Sequence, residues 1–144
     1  MLRDEEGSTL PLIAGFGALG LAIVLVAAAA SSLYLERKQL FTLADGAALV
    51  GAEAFDLADV TLDSATGDPG VRLEPADVQR DVAAFLAGNP NGGFEGLVIE
   101  DATTHDGETA TVTLSSVWRP PIVTVFFPEG IRIETTATAR SIFG

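Results

Sequence analysis

The chain has 144 residues, with 20 acidic against 8 basic side chains for a formal charge of −12, and no cysteine. That balance excludes a nucleic-acid partner, because a phosphate backbone is bound through clusters of lysine and arginine and this chain has none. Lack of cysteine removes disulfides and thiol nucleophiles and leaves no basis for a structural zinc site. Beyond the apolar N-terminal third, about 80 residues remain, enough for one small folded domain.

The first segment, residues 1–7, is a short charged leader in which Asp4, Glu5 and Glu6 outnumber Arg3. Residues 8–35 then carry no charge at all. As a helix this run of about 28 residues would measure roughly 42 Å, against about 30 Å for the hydrocarbon core of a bilayer. The lipid bilayer is therefore its expected surroundings. Three readings compete: a permanent single-pass anchor, a secretory signal peptide, and the apolar N-terminal helix of a pilin-like subunit. The acidic leader and the length of the run argue against a signal peptide, although Ala28, Ala29 and Ala30 before Ser31 form a pattern that a signal peptidase could accept. Orientation is weakly marked, since Arg3 and the α-amino group are matched by Arg37 and Lys38 on the other side. The acidic remainder is long enough to translocate regardless of local charge, and the same acidity disfavours its docking on anionic headgroups.

Inside the run, Gly15, Phe16, Gly17, Ala18, Leu19 and Gly20 match GxGxxG. A dinucleotide site needs that pattern between a strand and an opening helix, and here it lies within a membrane helix. Its small residues, with Ala14 and Ala22, instead permit close packing of helix on helix.

Residues 36–62 read as a helical extension. Leu40, Leu43, Ala47, Val50, Ala54 and Leu57 recur at three- and four-residue steps, flanked by Phe41, Ala44, Ala48, Gly51, Phe55 and Ala58, with Asp45, Glu53, Asp56 and Asp59 largely opposite. With no proline between, one helix is expected from near Leu12 to near Val60, on the order of 70 Å long. Its apolar stripe can face neighbouring subunits or the chain's own C-terminal domain.

Residues 63–144 make up the expected extracytoplasmic α+β domain. A polar loop (63–70) ends in Asp68, Pro69 and Gly70. A second helix follows from Pro75 to near Ala87, with Val78, Val82, Phe85 and Leu86 on one face and Gly88, Asn89 and Pro90 as its stop. Period-two alternation then predicts strands over 97–103, 108–118 and 131–140, the first two joined by a hairpin at Asp106 and Gly107. Residues 122–127, bounded by Pro121 and Pro128, are β-branched enough to predict a strand, although the leading proline also suits a short helix. A small antiparallel sheet covered by the second helix and the amphipathic part of the first would bury both apolar faces.

No catalytic constellation can be named, because no nucleophile, base and orienting group come together; the chain is expected not to be an enzyme, and no cofactor or metal is expected. His105 sits beside the predicted turn, where a solvated loop residue is the simplest reading. The carboxylates of Asp56, Asp59, Asp63, Asp68, Glu100 and Asp101 lack EF-hand spacing.

Gly7 and Ser8, after the charged leader and before the apolar run, lie where a membrane-embedded prepilin peptidase could cut. Residues 6–12, the apolar helix, the stretch from Leu35 through Arg37 to Leu40, and the run Leu43, Ala44, Asp45, Gly46, Ala47, Ala48, Leu49, Val50, Gly51, Ala52 together resemble the TadE/TadG-like pilus-assembly family. The most specific part is the basic residue ahead of Leu40 followed by the Ala-Asp-x-Ala-Ala-Leu run. Thr136 to Arg140 resembles that family's closing strand. The resemblance implies a minor pilin-like or pseudopilin-like component of a Tad (Flp) pilus system, with a cytoplasmic N-terminus, an external C-terminal domain, and other pilus-assembly subunits and a prepilin peptidase as partners. It also implies roles in family motif and helix packing for Arg37, Leu40, Ala44, Asp45, Ala47, Ala48, Leu49 and Ala52. One departure stands out: where pilin-like precursors carry glutamate five residues after the cleaved glycine, this chain has Leu12. The competing expectation is a monomeric, membrane-anchored binding module for calcium or cell-wall glycans, using loops 63–70 and 88–93.

Overall fold

A computed structural model describes residues 6–54, 61–62, 69–70, 72–89 and 93–142, with backbone only for 6–8, 61–62 and 69–70. Helix α1 (Glu6–Ala52) is followed by two-residue strands β1 (Thr61–Leu62) and β2 (Pro69–Gly70), helix α2 (Pro75–Gly88), strands β3 (Glu95–Thr104) and β4 (Thr109–Trp118), the short helix α3 (Pro121–Phe126) and strand β5 (Ile131–Arg140). The α+β class expected from the sequence is borne out. β1 and β2 pair with each other, and β3, β4 and β5 form an antiparallel meander in that order.

Two different environments act on α1. From residue 9 to residue 28 every side chain is exposed, and the helix is long and apolar enough to cross a membrane. Higher up, Leu40, Ala44, Ala47, Ala48 and Ala52 are buried. Their spacing of four, three, one and four residues keeps them on one face of a 3.6-residue helix. That face lies on β4 and β5, while α2 covers β3 and leans on α1. The sheet answers with small side chains of its own, Ala110, Ala137 and Ala139, around a filling of Val112, Leu114 and Ile133.

Helix and strand run antiparallel along this contact. Gly51, near the top of α1, faces the Cβ of Ala110 at the start of β4, whereas Ser32 accepts a hydrogen bond from the Trp118 indole at the strand's other end, 3.3 Å away. The nineteen residues of helix between these points span about 28 Å, and the eight residues of strand span about 27 Å. The two lengths agree, so the head lies along the upper half of α1.

Two sequence expectations need correction. Residues 122–127 do not form a strand: Pro121–Phe126 is helical. Pro121 lacks the N–H that a ladder would require, and its fixed φ suits the first turn of a helix. In addition, α1 stops at Ala52 rather than near Val60, closing through i→i−3 bonds from Glu53 to Val50 and from Ala54 to Gly51. The final rungs of β4 and β5 (Ala110 with Ala139, Thr109 with Arg140) lie at the level of Gly51, so among the described residues this sheet offers a longer stripe nothing more to cover. The expectations for residues 55–60 and 63–68 lie outside the described residues.

The remaining elements follow the sequence. In α2, Pro75 occupies the first turn, and Val78, Val82 and Leu86 point into the core. The β3–β4 hairpin turns at Asp106 and Gly107, as the dipeptide predicts. The Asp106 carboxylate accepts the backbone N–H groups of Glu108 at 2.8 Å and Thr109 at 2.7 Å, and the Thr104 hydroxyl accepts that of Gly107 at 3.0 Å. These donors favour the charged form and hold the Asp106 carboxyl well below the usual carboxylate range. At the other end of the sheet, Gly130 turns the chain into β5 with φ of 77°. A Cβ there would stand 2.9 Å from the carbonyl oxygen of Trp118, so glycine is required twice over.

Candidate functional site

The residues expected to matter lie along α1, and the fold divides them. Leu40, Ala44, Ala47, Ala48 and Ala52 face the head and are buried. Arg37, Asp45 and Leu49 face outward, and Leu49 is 55% exposed. Small side chains on the inner face let the helix backbone approach the sheet closely: a Cβ added to Gly51 would lie 3.1 Å from Val78 Cγ1 and 3.2 Å from Ala110 Cβ. The alanine-rich run thus serves as the seat of the chain's own domain. Any surface α1 offers to another helix must come from its lower half or from this outer side.

The lower half offers much. Leu10, Leu12, Ile13, Phe16, Leu19, Leu21, Ile23 and Val24 are all more than half exposed, and nothing approaches the Cβ positions of Gly15, Gly17 or Gly20. Gly7 and Ser8 lie in the first two turns of α1. Because Pro11 has no N–H, the carbonyl of Gly7 lacks its i+4 amide partner.

At the junction of the two halves is a groove of about 410 Å³ lined by Tyr34, Arg37, Lys38, Phe41 and Thr135. Its cations stand one to two turns above Ser32, where the indole of Trp118 meets the stalk.

A polar chain on the outer face of the sheet was not expected from the sequence. Ser115 is fully buried there; its hydroxyl donates to the Glu100 carboxylate and accepts from Arg132 Nη1 at 2.7 Å. Glu100 lies at an irregularity of β3, where Ile99 pairs with Leu114 but Asp101 already pairs with Thr113. The extra residue in β3 is a bulge, and the three groups tie all three strands together. Thr113 and Thr136 add a cross-strand hydroxyl pair at 2.9 Å. His105 is exposed in the hairpin turn. Among the described residues no three carboxylates or histidines gather as a cation site would require. Of the two loops expected to serve a binding module, residues 63–68 and 90–92 lie outside the described residues.

The architecture is that of a stalk: one helix able to span a membrane, carrying a small α+β head on its upper half. Residues 7–54, which make up nearly all of that helix and its closing turn, match the family model described as Flp pilus-assembly TadE/G-like. The resemblance read from the sequence is thereby borne out over this segment, and the match supports involvement in Flp pilus assembly in association with other pilus components. No curated protein and no solved structure matches the chain.

Proposed function

We propose that the protein is a membrane-anchored structural subunit of a Tad-type pilus or related secretion apparatus, of minor pilin or pseudopilin type, with its N-terminus in the cytoplasm and its head outside. One observation carries this reading. The family match coincides with a single helix whose lower half is wholly exposed and apolar while its upper half is seated in the chain's own head. Such a helix can pack sideways among other membrane helices while it holds the head at a fixed height.

In this reading the lower half packs through Gly15, Gly17 and Gly20, where backbones can approach closely. Arg37, Asp45 and Leu49 face neighbouring subunits. A prepilin peptidase cuts between Gly7 and Ser8, and the carbonyl freed by Pro11 favours its access. Leu12 needs no neighbouring amine to neutralise it in lipid, unlike a glutamate there, which suits a tip, initiating or membrane-resident subunit better than a shaft subunit.

Intact mass and N-terminal sequencing of the membrane-extracted protein test the processing. A chain starting at Ser8 supports it, one starting at Met1 indicates an uncleaved anchor, and one starting at Ser31 indicates a secreted head. A photo-crosslinking residue at Asp45 or Leu49 in the native host is expected to capture pilus components. Recovery of the protein as an uncrosslinked monomer at both positions would overturn the assembly role.

A further inference from the structure

The end of α3 gathers three consecutive exposed apolar side chains on the head. Val125 and Phe126 are each 76% exposed and Phe127 is 59% exposed, although Val123, in the same helix, packs on the core. α3 lies in the connection between β4 and β5, which starts from the rung where Trp118 pairs with Ile131, and it packs against α1. It therefore projects from the end of the head nearest the apolar half of the stalk.

Height along α1 shows what this tip meets. Residues 9–28 would fill about 30 Å of hydrocarbon. The upper boundary of the bilayer then lies near residue 29, where Ala29 and Leu33 begin the packing against the head. The Trp118 indole reaches α1 at Ser32, about 4.5 Å higher by helical rise. Tryptophan and tyrosine favour this interfacial zone, and Tyr34 is beside it. Arg37 and Lys38 stand within reach of headgroup phosphates. Arg119 is at the same end, sharing its charge with Glu95 at 3.3 Å, and Glu36, Glu129 and, three rungs up, Glu134 are the other acids there among the described residues. The opposite end of the head carries Glu53, Asp106 and Glu108, with Arg140 paired to Glu108 at 2.8 Å and Arg72 beside Gly107. Among the described residues the near end thus balances Arg37, Lys38, Arg119 and Arg132 against Glu36, Glu95, Glu129 and Glu134, so the net charge of the chain does not describe what this end of the head can touch.

We propose that Val125, Phe126 and Phe127 insert into the outer leaflet beside the α1 span, so that the head is held on the lipid surface at two points. This rests on the reading of α1 as a membrane anchor. A six-residue helix that ends in exposed Val125 and Phe126, with Phe127 directly after it, is too short to span and is suited to interfacial insertion.

The absence of cysteine permits a direct test. Single variants Phe126→Cys, Leu19→Cys and Ile142→Cys of the full chain are labelled with an environment-sensitive fluorophore. Each is reconstituted at one protein per nanodisc in phosphatidylethanolamine and phosphatidylglycerol with brominated acyl chains. The expected result is quenching at Phe126→Cys by bromines near the headgroups, quenching at Leu19→Cys by bromines near the bilayer centre, and none at Ile142→Cys, which lies at the far end of the head. A quenched Leu19→Cys with an unquenched, water-like Phe126→Cys overturns the proposal and leaves the anchor intact. Loss of quenching at both positions overturns the anchor and the proposal with it. A blue-shifted but bromine-insensitive label at Phe126→Cys means that protein covers the tip, and this also overturns it.

Discussion

Replacing Gly46 and Gly51 by alanine, one at a time, is expected to move the stability of the head in opposite directions. Both lie on α1, where an interior glycine is about 1 kcal/mol less favourable than alanine. At Gly46 the new Cβ would meet Cζ of the half-buried Phe85 ring at 3.4 Å and Cε1 at 3.8 Å, which is ordinary contact. Most of the helical gain survives, and Gly46→Ala should stabilise by about 0.5–1 kcal/mol. At Gly51 the Cβ would lie 3.1 Å from Val78 Cγ1, 3.2 Å from Ala110 Cβ and 3.3 Å from Val82 Cγ2. All three residues are fully buried, and the Ala110 Cβ is fixed by the ladder of β4. Overpacking of this kind costs about 1–3 kcal/mol. Gly51 is also next to the helix end, where the gain in propensity is smaller, so Gly51→Ala should destabilise by about 1–2 kcal/mol. Urea denaturation of the full chain in detergent micelles can read both changes through Trp118, the single tryptophan, which is seated between head and stalk. With a slope of about 1–3 kcal/mol per molar urea for a small domain, the two midpoints should separate by about 1 M. A Gly51→Ala midpoint at or above that of the unaltered protein would refute the close helix-on-sheet packing.

Leu40→Ala empties a fully buried position between stalk and sheet and is expected to cost about 2–5 kcal/mol in the same assay. Ser116→Ala should stabilise by about 1 kcal/mol, because its buried hydroxyl has no hydrogen-bond partner among the described residues. Asp106→Asn should lower Tm at neutral pH. Folding depresses the pKa of this carboxyl, so its contribution is present above the ordinary value of about 4 and is lost as pH falls through the lower folded value. The gap in Tm between the two proteins should therefore narrow in acid, and a gap independent of pH would refute the role of the charge.

Much of the head was legible because one face of its sheet is solvated. Thr109, Thr111 and Thr113 alternate with Ala110, Val112 and buried Leu114, and Asp106 with Gly107 supplies the turn, so period and punctuation agree. The segment at 122–127 misled for a local reason. Its β-branched side chains favour a strand, but Pro121 cannot donate to a neighbour and the sheet has ended there. The chain Glu100, Ser115 and Arg132 could not be read, since it depends on a bulge that shifts register. As for the site, the motif on α1 was visible as a small-residue stripe, but period alone does not tell which partner the stripe faces. Only the tertiary arrangement shows Ala44, Ala47 and Ala48 committed to the chain's own sheet.

The antiparallel lie of α1 against β4 also has a mechanical meaning. A tension applied at the Arg140 end of β5 and resisted at the apolar end of α1 acts parallel to both the ladder and the helix. All ten β4–β5 pairings would then be loaded together in shear, rather than parted one by one from an end. A head mounted in this way can transmit a pull along the stalk to whatever holds its base.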